Sequence, residues 1–127
     1  MILDTSVLFS VERGRSKLDT LIDDDDDVSI AAITAAELWV CVALADPRRR
    51  PKRARFVEQV LATIPVDDYD LEVARAHADL LVESRRAARA RGAHDLLIAA
   101  TAVARTRELI TLDRAGFDGL TGVHVRS

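Results

Sequence analysis

Cysteine is almost absent from this chain: Cys41 is the only one in 127 residues, which excludes an internal disulfide and a thiolate zinc site and agrees with a reducing compartment. Long apolar runs are absent too. No stretch reaches the roughly 18 residues a membrane helix needs, and Met1 leads straight into a short apolar strand and an acid, with no basic region or cleavage site. These absences read as a soluble, cytoplasmic protein with no membrane partner. Aromatic residues make up 4% of the chain, and Phe9, Trp39, Phe56 and Phe117 read as core or interface side chains rather than platforms for stacked bases. There is no glycine-rich phosphate cradle, no nucleophilic triad, no internal repeat and no linker.

Apolar residues, by contrast, make up 49% of the chain, enough for one domain over residues 1–127 with a substantial core. Cys41 lies in the apolar run 38–44 and reads as part of that core. The apolar start at 1–3, followed by Asp-Thr-Ser, reads as a buried strand and a helix cap. Helices are expected over 7–12 and 16–22, with Gly14 as the break, then a strand over 28–33. Thr34 is expected to cap a helix that carries Glu37 and Trp39 and ends near Asp46-Pro47.

Pro51 suits the first turn of a helix over 52–62, and Ile64-Pro65-Val66 reads as an edge strand because proline cannot donate to a sheet ladder. Asp70 is expected to cap a long helix whose Leu71, Ala74, Ala78, Leu81 and Val82 form the apolar stripe, ending near Gly92. Asp95 reads as the cap of the helix over 96–104, followed by strands over 109–112 and 123–125. Strands separated by helices predict an α/β fold, a three-layer α/β/α sandwich with a mostly parallel central sheet. Ligands of such sheets gather at the carboxyl ends of the strands, where Asp4 and Asp113 stand.

The formal charge of -3 argues against nucleic-acid binding only if charge is evenly spread, and here it is segregated. Arg48, Arg49, Arg50, Lys52, Arg53 and Arg55 form one basic block, which reads equally as a grip on RNA phosphate, a contact for an acidic partner, or a solvated face. Arg85, Arg86, Arg89 and Arg91 form another that cannot lie on a single helix face. The unbroken acidic run at 23–27 lacks the alternation and glycine of a calcium loop and reads as a solvated connection.

Asp4, Glu37, Asp95 and Asp113 each sit at the edge of an apolar segment, in ILDTS, ITAAELW, AHDLLIAA and LITLD. Acids rarely settle beside a core unless something holds them. Taken singly, Asp4 and Asp95 read as helix caps, Glu37 as an exposed helix residue and Asp113 as the start of a turn. Taken together, they read as a cation site, since two carboxylates about 5 Å apart repel by roughly 3 kcal/mol at an effective dielectric of about 20. A bound divalent cation reverses that repulsion. His94 reads as a local hydrogen-bonding group, while His77 and His124 have no visible partner.

These four segments, in this order and from Ile2 to about Phe117, resemble the PIN-domain ribonucleases, and among them the small toxins of the VapC type. The resemblance implies a metal-dependent endoribonuclease whose Asp4, Glu37, Asp95 and Asp113 line an acidic pocket for one or two Mg²⁺ or Mn²⁺ ions. Asp4 and Asp95 are the first choices as direct ligands, with Glu37 and Asp113 completing the site and Thr5, Ser6 and Thr111 supporting it. It also implies a single-stranded or loop RNA substrate (tRNA, rRNA or mRNA), a cognate antitoxin and a homodimer. Docking surfaces are expected around Val7, Leu8 and Leu18 and on the helix after Thr34.

The chain departs from the family's usual pattern in three places. Trp39-Val40-Cys41 follows AEL, where a glycine is frequent; Arg107-Glu108 precedes the last motif, where a glycine is also common; and Gly116 stands before Phe117 in place of an acid. Any accessory carboxylate must then come from Asp118 or be missing. Two other readings compete: a catalytically inert PIN-like module that binds RNA or protein, and a phosphatase with Asp4 as nucleophile. The second lacks the general acid expected two residues on, where Ser6 stands.

Overall fold

The computed structural model describes residues 1–126. Its sheet is built from very short parallel strands: β1 (Ile2–Leu3), β2 (Ile30–Ala31), β3 (Val66–Asp67) and β4 (Leu109–Ile110). β1 pairs with β4 and β2 with β3, all parallel. A parallel bridge from Ile2 to Ser29 joins the pairs, so the order across the sheet is β3-β2-β1-β4. Val125 adds a single bridge to Leu109 in place of the strand expected over 123–125.

Alternation along these strands divides the interior. Ile2, Ala31 and Leu109 face one cluster with Val73, Leu80, Leu96, Ile98, Ala99, Phe117 and Leu120. Leu3, Ile30 and Ile110 face the other, with Val7, Leu8, Leu38, Val42, Val57 and Val60. Helices therefore cover both faces, α5 (Leu71–Arg86) and α6 (Ala93–Ala104) on one and α1 (Thr5–Glu12), α3 (Ala32–Ala43) and α4 (Arg50–Thr63) on the other. This is the expected three-layer α/β sandwich, with strands that are buried on both sides as parallel sheets require. β3 is the exception at the edge, where Pro65 offers its carbonyl to Ile30 N–H at 3.0 Å. A four-residue turn of helix, α2 (Leu18–Leu21), is all that forms from the segment 16–22.

Several local expectations need correction. Asp70 does cap α5, accepting from Val73 N–H at 3.0 Å, but the buried stripe runs through Val73 and Leu80, while Leu71 is 89% exposed. The helix also ends at Arg86 rather than near Gly92, and Ala88 follows it in the left-handed region at φ 50. α3 begins at Ala32, so Thr34 lies inside the first turn and is fully buried instead of capping it. Val7 and Leu8 are buried too, which removes them as docking residues. α3 leaves Trp39, Val40 and Leu44 exposed instead, and Cys41 is only partly covered.

The acidic run is not wholly solvated either. Asp26 holds Arg126 at 2.9 Å and Asp27 holds Arg107 at 3.0 Å, which ties the loop before β2 to the far edge of the sheet. The Arg126 hydrogen bond keeps the Asp26 carboxyl below its ordinary pKa. Among the described residues no helix is long and apolar enough to cross a membrane.

Candidate functional site: an acidic cluster at the strand ends

β1 lies beside β4 although more than a hundred residues separate them, and each strand is followed at once by hydroxyl and carboxyl side chains. Neighbours in the sheet on either side of β1 come from opposite ends of the sequence, which marks the point where ligands of open α/β sheets are held. Asp4, 4% exposed, is the N-cap of α1, and its Oδ1 accepts from Thr5 N–H at 2.9 Å. Its Oδ2 accepts from Ser6 Oγ and Thr111 Oγ1, both at 2.7 Å. Thr111 in turn accepts from Asp113 N–H at 2.9 Å, so one hydroxyl links the acid after β1 to the loop after β4.

Thr5 Oγ1 lies 2.9 Å from Glu37 Oε1 and 3.1 Å from Thr34 Oγ1. Thr5 is placed to donate to either oxygen, and its single proton favours the charged oxygen of Glu37, an arrangement that ties α1 to α3. His94 Nδ1 approaches Glu37 Oε2 at 3.3 Å. Asp95 sits in the first turn of α6, three positions after the cap Gly92, with a half-buried carboxylate. Burial first, then the charges of Asp4, Asp113 and Glu37, push its carboxyl above the ordinary pKa. The structure thus brings the four acids singled out in the sequence into one neighbourhood.

Gly116 was visible in the sequence only as a missing acid, and the structure gives it a different meaning. A Cβ at this position would stand 2.8 Å from Asp95 Oδ2 and 3.3 Å from Asp113 Oδ2, so those two oxygens lie no farther apart than the sum of these distances. Gly116→Ala is expected to shift the Asp95 carboxylate and lower any activity of the cluster about tenfold to a hundredfold while the fold persists. Turnover assays paired with circular dichroism check this, and wild-type turnover in the variant would show that the cluster tolerates displacement.

The loop that carries Gly116 is held from outside. Arg91 donates to the carbonyls of Ala115 at 3.3 Å and Gly116 at 3.0 Å and also to that of Asp118, and Arg89 adds Ala115 at 3.2 Å. Half of the second basic block is therefore engaged in fixing this loop. Among the described residues no three His, Cys, Asp or Glu side chains close around one point as a finished metal cage. Asp4 explains part of this, since both of its oxygens already receive hydrogen bonds.

Residues 1–121 match the family model described as PIN domain. The chain is also 37% identical over 129 residues to Ribonuclease VapC5 of Mycobacterium tuberculosis, covering 98% of this chain and 92% of that protein. It belongs to the PIN-domain family, in the VapC group.

The crystal structure of VapBC-5 from Mycobacterium tuberculosis, described as a member of the VapBC family of toxin-antitoxin systems, superimposes on this PIN domain with a TM-score of 0.80 at 33% identity, covering 99% of this chain and 97% of that one. VapBC2 of Rickettsia felis, solved with a DNA fragment from its promoter, reaches a TM-score of 0.88 at 19% identity, covering 98% of this chain and 96% of that one, a likeness of fold alone. Within this PIN domain, sequence reasoning missed three supports of the acidic cluster: the buried Thr34, the space left by Gly116, and the arginines that hold its loop. Thr34 was readable only as a cap, because its burial depends on α1 packing across α3.

Proposed function

We propose that this PIN domain is a Mg²⁺-dependent endoribonuclease toxin, with Mn²⁺ as an alternative ion, that cuts single-stranded or loop RNA and is restrained by a cognate antitoxin in the cytoplasm. The observation that carries the reading is the Asp95 carboxyl, raised by burial and by three neighbouring carboxylates. Among the described residues these carboxylates crowd Asp95 at the edge of a core, with the exposed His94 as the neighbouring base. The donor set is entirely hard oxygen, which suits Mg²⁺ or Mn²⁺ over zinc. Asp4 and Asp95 would hold the ion directly, with Glu37 and Asp113 on either side of it. When bound, the ion supplies charge relief on the phosphate and lowers the pKa of a coordinated water.

The chain's own residues set the geometry for that chemistry. Ser6 and Thr111 fix the plane of the Asp4 carboxylate, and Thr5 orients Glu37 so that its second oxygen stays free for His94 or a water. Glu37 is the candidate to take a proton from the attacking water, because Thr5 fixes one of its oxygens at 2.9 Å and the other lies beside His94 at the mouth of the cluster. Loop or single-stranded RNA is favoured because paired strands hide their bases and hold the backbone rigid. The antitoxin and a second copy of the chain would use the exposed apolar face of α3, with Trp39 at 43%, Val40 at 55% and Leu44 at 82% exposure.

Incubating the purified protein with a tRNA pool, with and without Mg²⁺, tests the reading. Discrete fragments are expected only with the metal, and addition of the antitoxin should suppress them. RNA left intact in every metal condition tried would leave an inert RNA- or protein-binding module as the better account.

A further inference from the structure

Positive charge in this molecule is neutralised unevenly. Away from the corner between α1 and α4, most arginines are occupied: Arg105 faces Asp67, Asp70 and Glu72, Arg107 faces Asp27, and Arg126 faces Asp26 and Glu108. Arg89, Arg91 and Arg114 donate to backbone carbonyls. At the C-terminal end of α1 and the start of α4 the pattern reverses. Arg13, Arg15, Arg49, Lys52 and Arg53, together with Glu12, line an open cavity of about 520 Å³. Of these cations only Arg53 has a carboxylate partner among the described residues, Glu12 at 3.3 Å. Arg53 is also steadied by the Cys41 carbonyl at 3.4 Å, and Arg13 lies 5.9 Å above the Phe9 ring.

Two segments far apart in sequence thus bring like charges to one concavity, an arrangement that repels itself unless an anion lies within it. We propose that this cavity is a phosphate subsite that grips the backbone of RNA at a distance from the acidic cluster. α1 links the two places: it starts at Thr5, beside Asp4, and ends at Glu12 on the rim of the cavity, about 12 Å further along the helix axis. The same polymer can therefore lie on both. An acidic protein segment is the rival occupant, and the lining disfavours it. Every lining side chain is charged, with no apolar pocket for the anchor residues that give protein interfaces their affinity. Sugar-phosphate backbone asks only for guanidinium forks and ammonium groups, which Arg15, Arg49 and Lys52 present unpaired.

The identity of the polymer rests on the ribonuclease reading, whereas the anion site itself does not. The test combines Arg15→Gln, Arg49→Gln and Lys52→Gln, three exposed changes that break no ion pair and should leave the melting curve unchanged. Binding of a fluorescein-labelled oligouridylate is followed by anisotropy in EDTA across a salt series, so no cleavage is required. The slope of log affinity against log salt should become shallower by about 2, from roughly 0.7 per phosphate contact. A control with Arg75→Gln, Arg85→Gln and Arg86→Gln, equal in charge change, should keep the wild-type slope. In Mg²⁺, the first variant should raise KM for long RNA with kcat held, and leave a dinucleotide substrate unaffected.

A wild-type slope in the first variant overturns the subsite, as does an equal loss in the control. Unchanged RNA binding with weakened antitoxin binding also overturns it, in favour of an acidic protein partner. If wild-type protein cuts no RNA in Mg²⁺ while the difference in EDTA persists, the subsite stands and the ribonuclease reading fails.

Discussion

Asp95→Asn is expected to lower RNA cleavage by about 10³-fold, equivalent to about 4 kcal/mol of lost transition-state stabilisation, with the fold intact. The same substitution should make the protein more stable without metal. Its carboxylate is held above its ordinary pKa by burial and by Asp4, Asp113 and Glu37, so the charged form is disfavoured in the folded state. Between the unfolded and folded pKa values the native protein binds the extra proton, and metal-free stability therefore falls as pH rises through that window. Asn carries no such dependence. Thermal melts in EDTA across the acidic range should show the wild-type midpoint declining toward neutrality relative to the variant, and Mg²⁺ should raise the wild-type midpoint more.

Asp4→Asn should abolish cleavage as well, but it is the less clean experiment. The Asp4 carboxylate accepts from Thr5 N–H, Ser6 and Thr111, and an amide nitrogen would confront at least one of these donors. About 1–3 kcal/mol of stability is expected to go with the charge. Full cleavage by both variants would remove these acids from the chemistry.

Phe117→Ala should have the largest effect on stability, about 3–5 kcal/mol. The ring is 1% exposed and packs in the cluster formed by α5, α6 and one face of the sheet. It also anchors the loop that places Gly116 against Asp95 and Asp113. At this chain length each kcal/mol moves the midpoint by roughly 3–5 °C, so a fall of about 10 °C or more is expected by calorimetry. A shift of a degree or two would mean that the loop refills the cavity and that the placement of Gly116 does not depend on this ring.

Strand positions were legible because apolar pairs ending in an acid or hydroxyl stood out, as at Ile2-Leu3-Asp4 and Leu109 to Asp113. Their pairing was not. Strands of two residues are too short for periodicity, and only the division of Ile2 from Leu3 and of Leu109 from Ile110 between two clusters shows which face each serves. The stripe of α5 was misread because Leu71 opens the helix outside its contact with α6, while alanines scattered along it carry little directional signal. The candidate acids were legible as a set because each stood at an element boundary. Their supports were not, since Thr34, Gly116, Arg89 and Arg91 acquire meaning only through partners distant in sequence.

The central place of β1, paired to β4 near the other end of the chain, also governs when the cluster can exist. During synthesis Asp4 and Glu37 leave the ribosome long before Asp113 has been added, and β1 waits with its β4 edge unpaired until then. A nascent chain of this kind holds its acids apart, and the cluster assembles only once β4 has been made and has paired with β1.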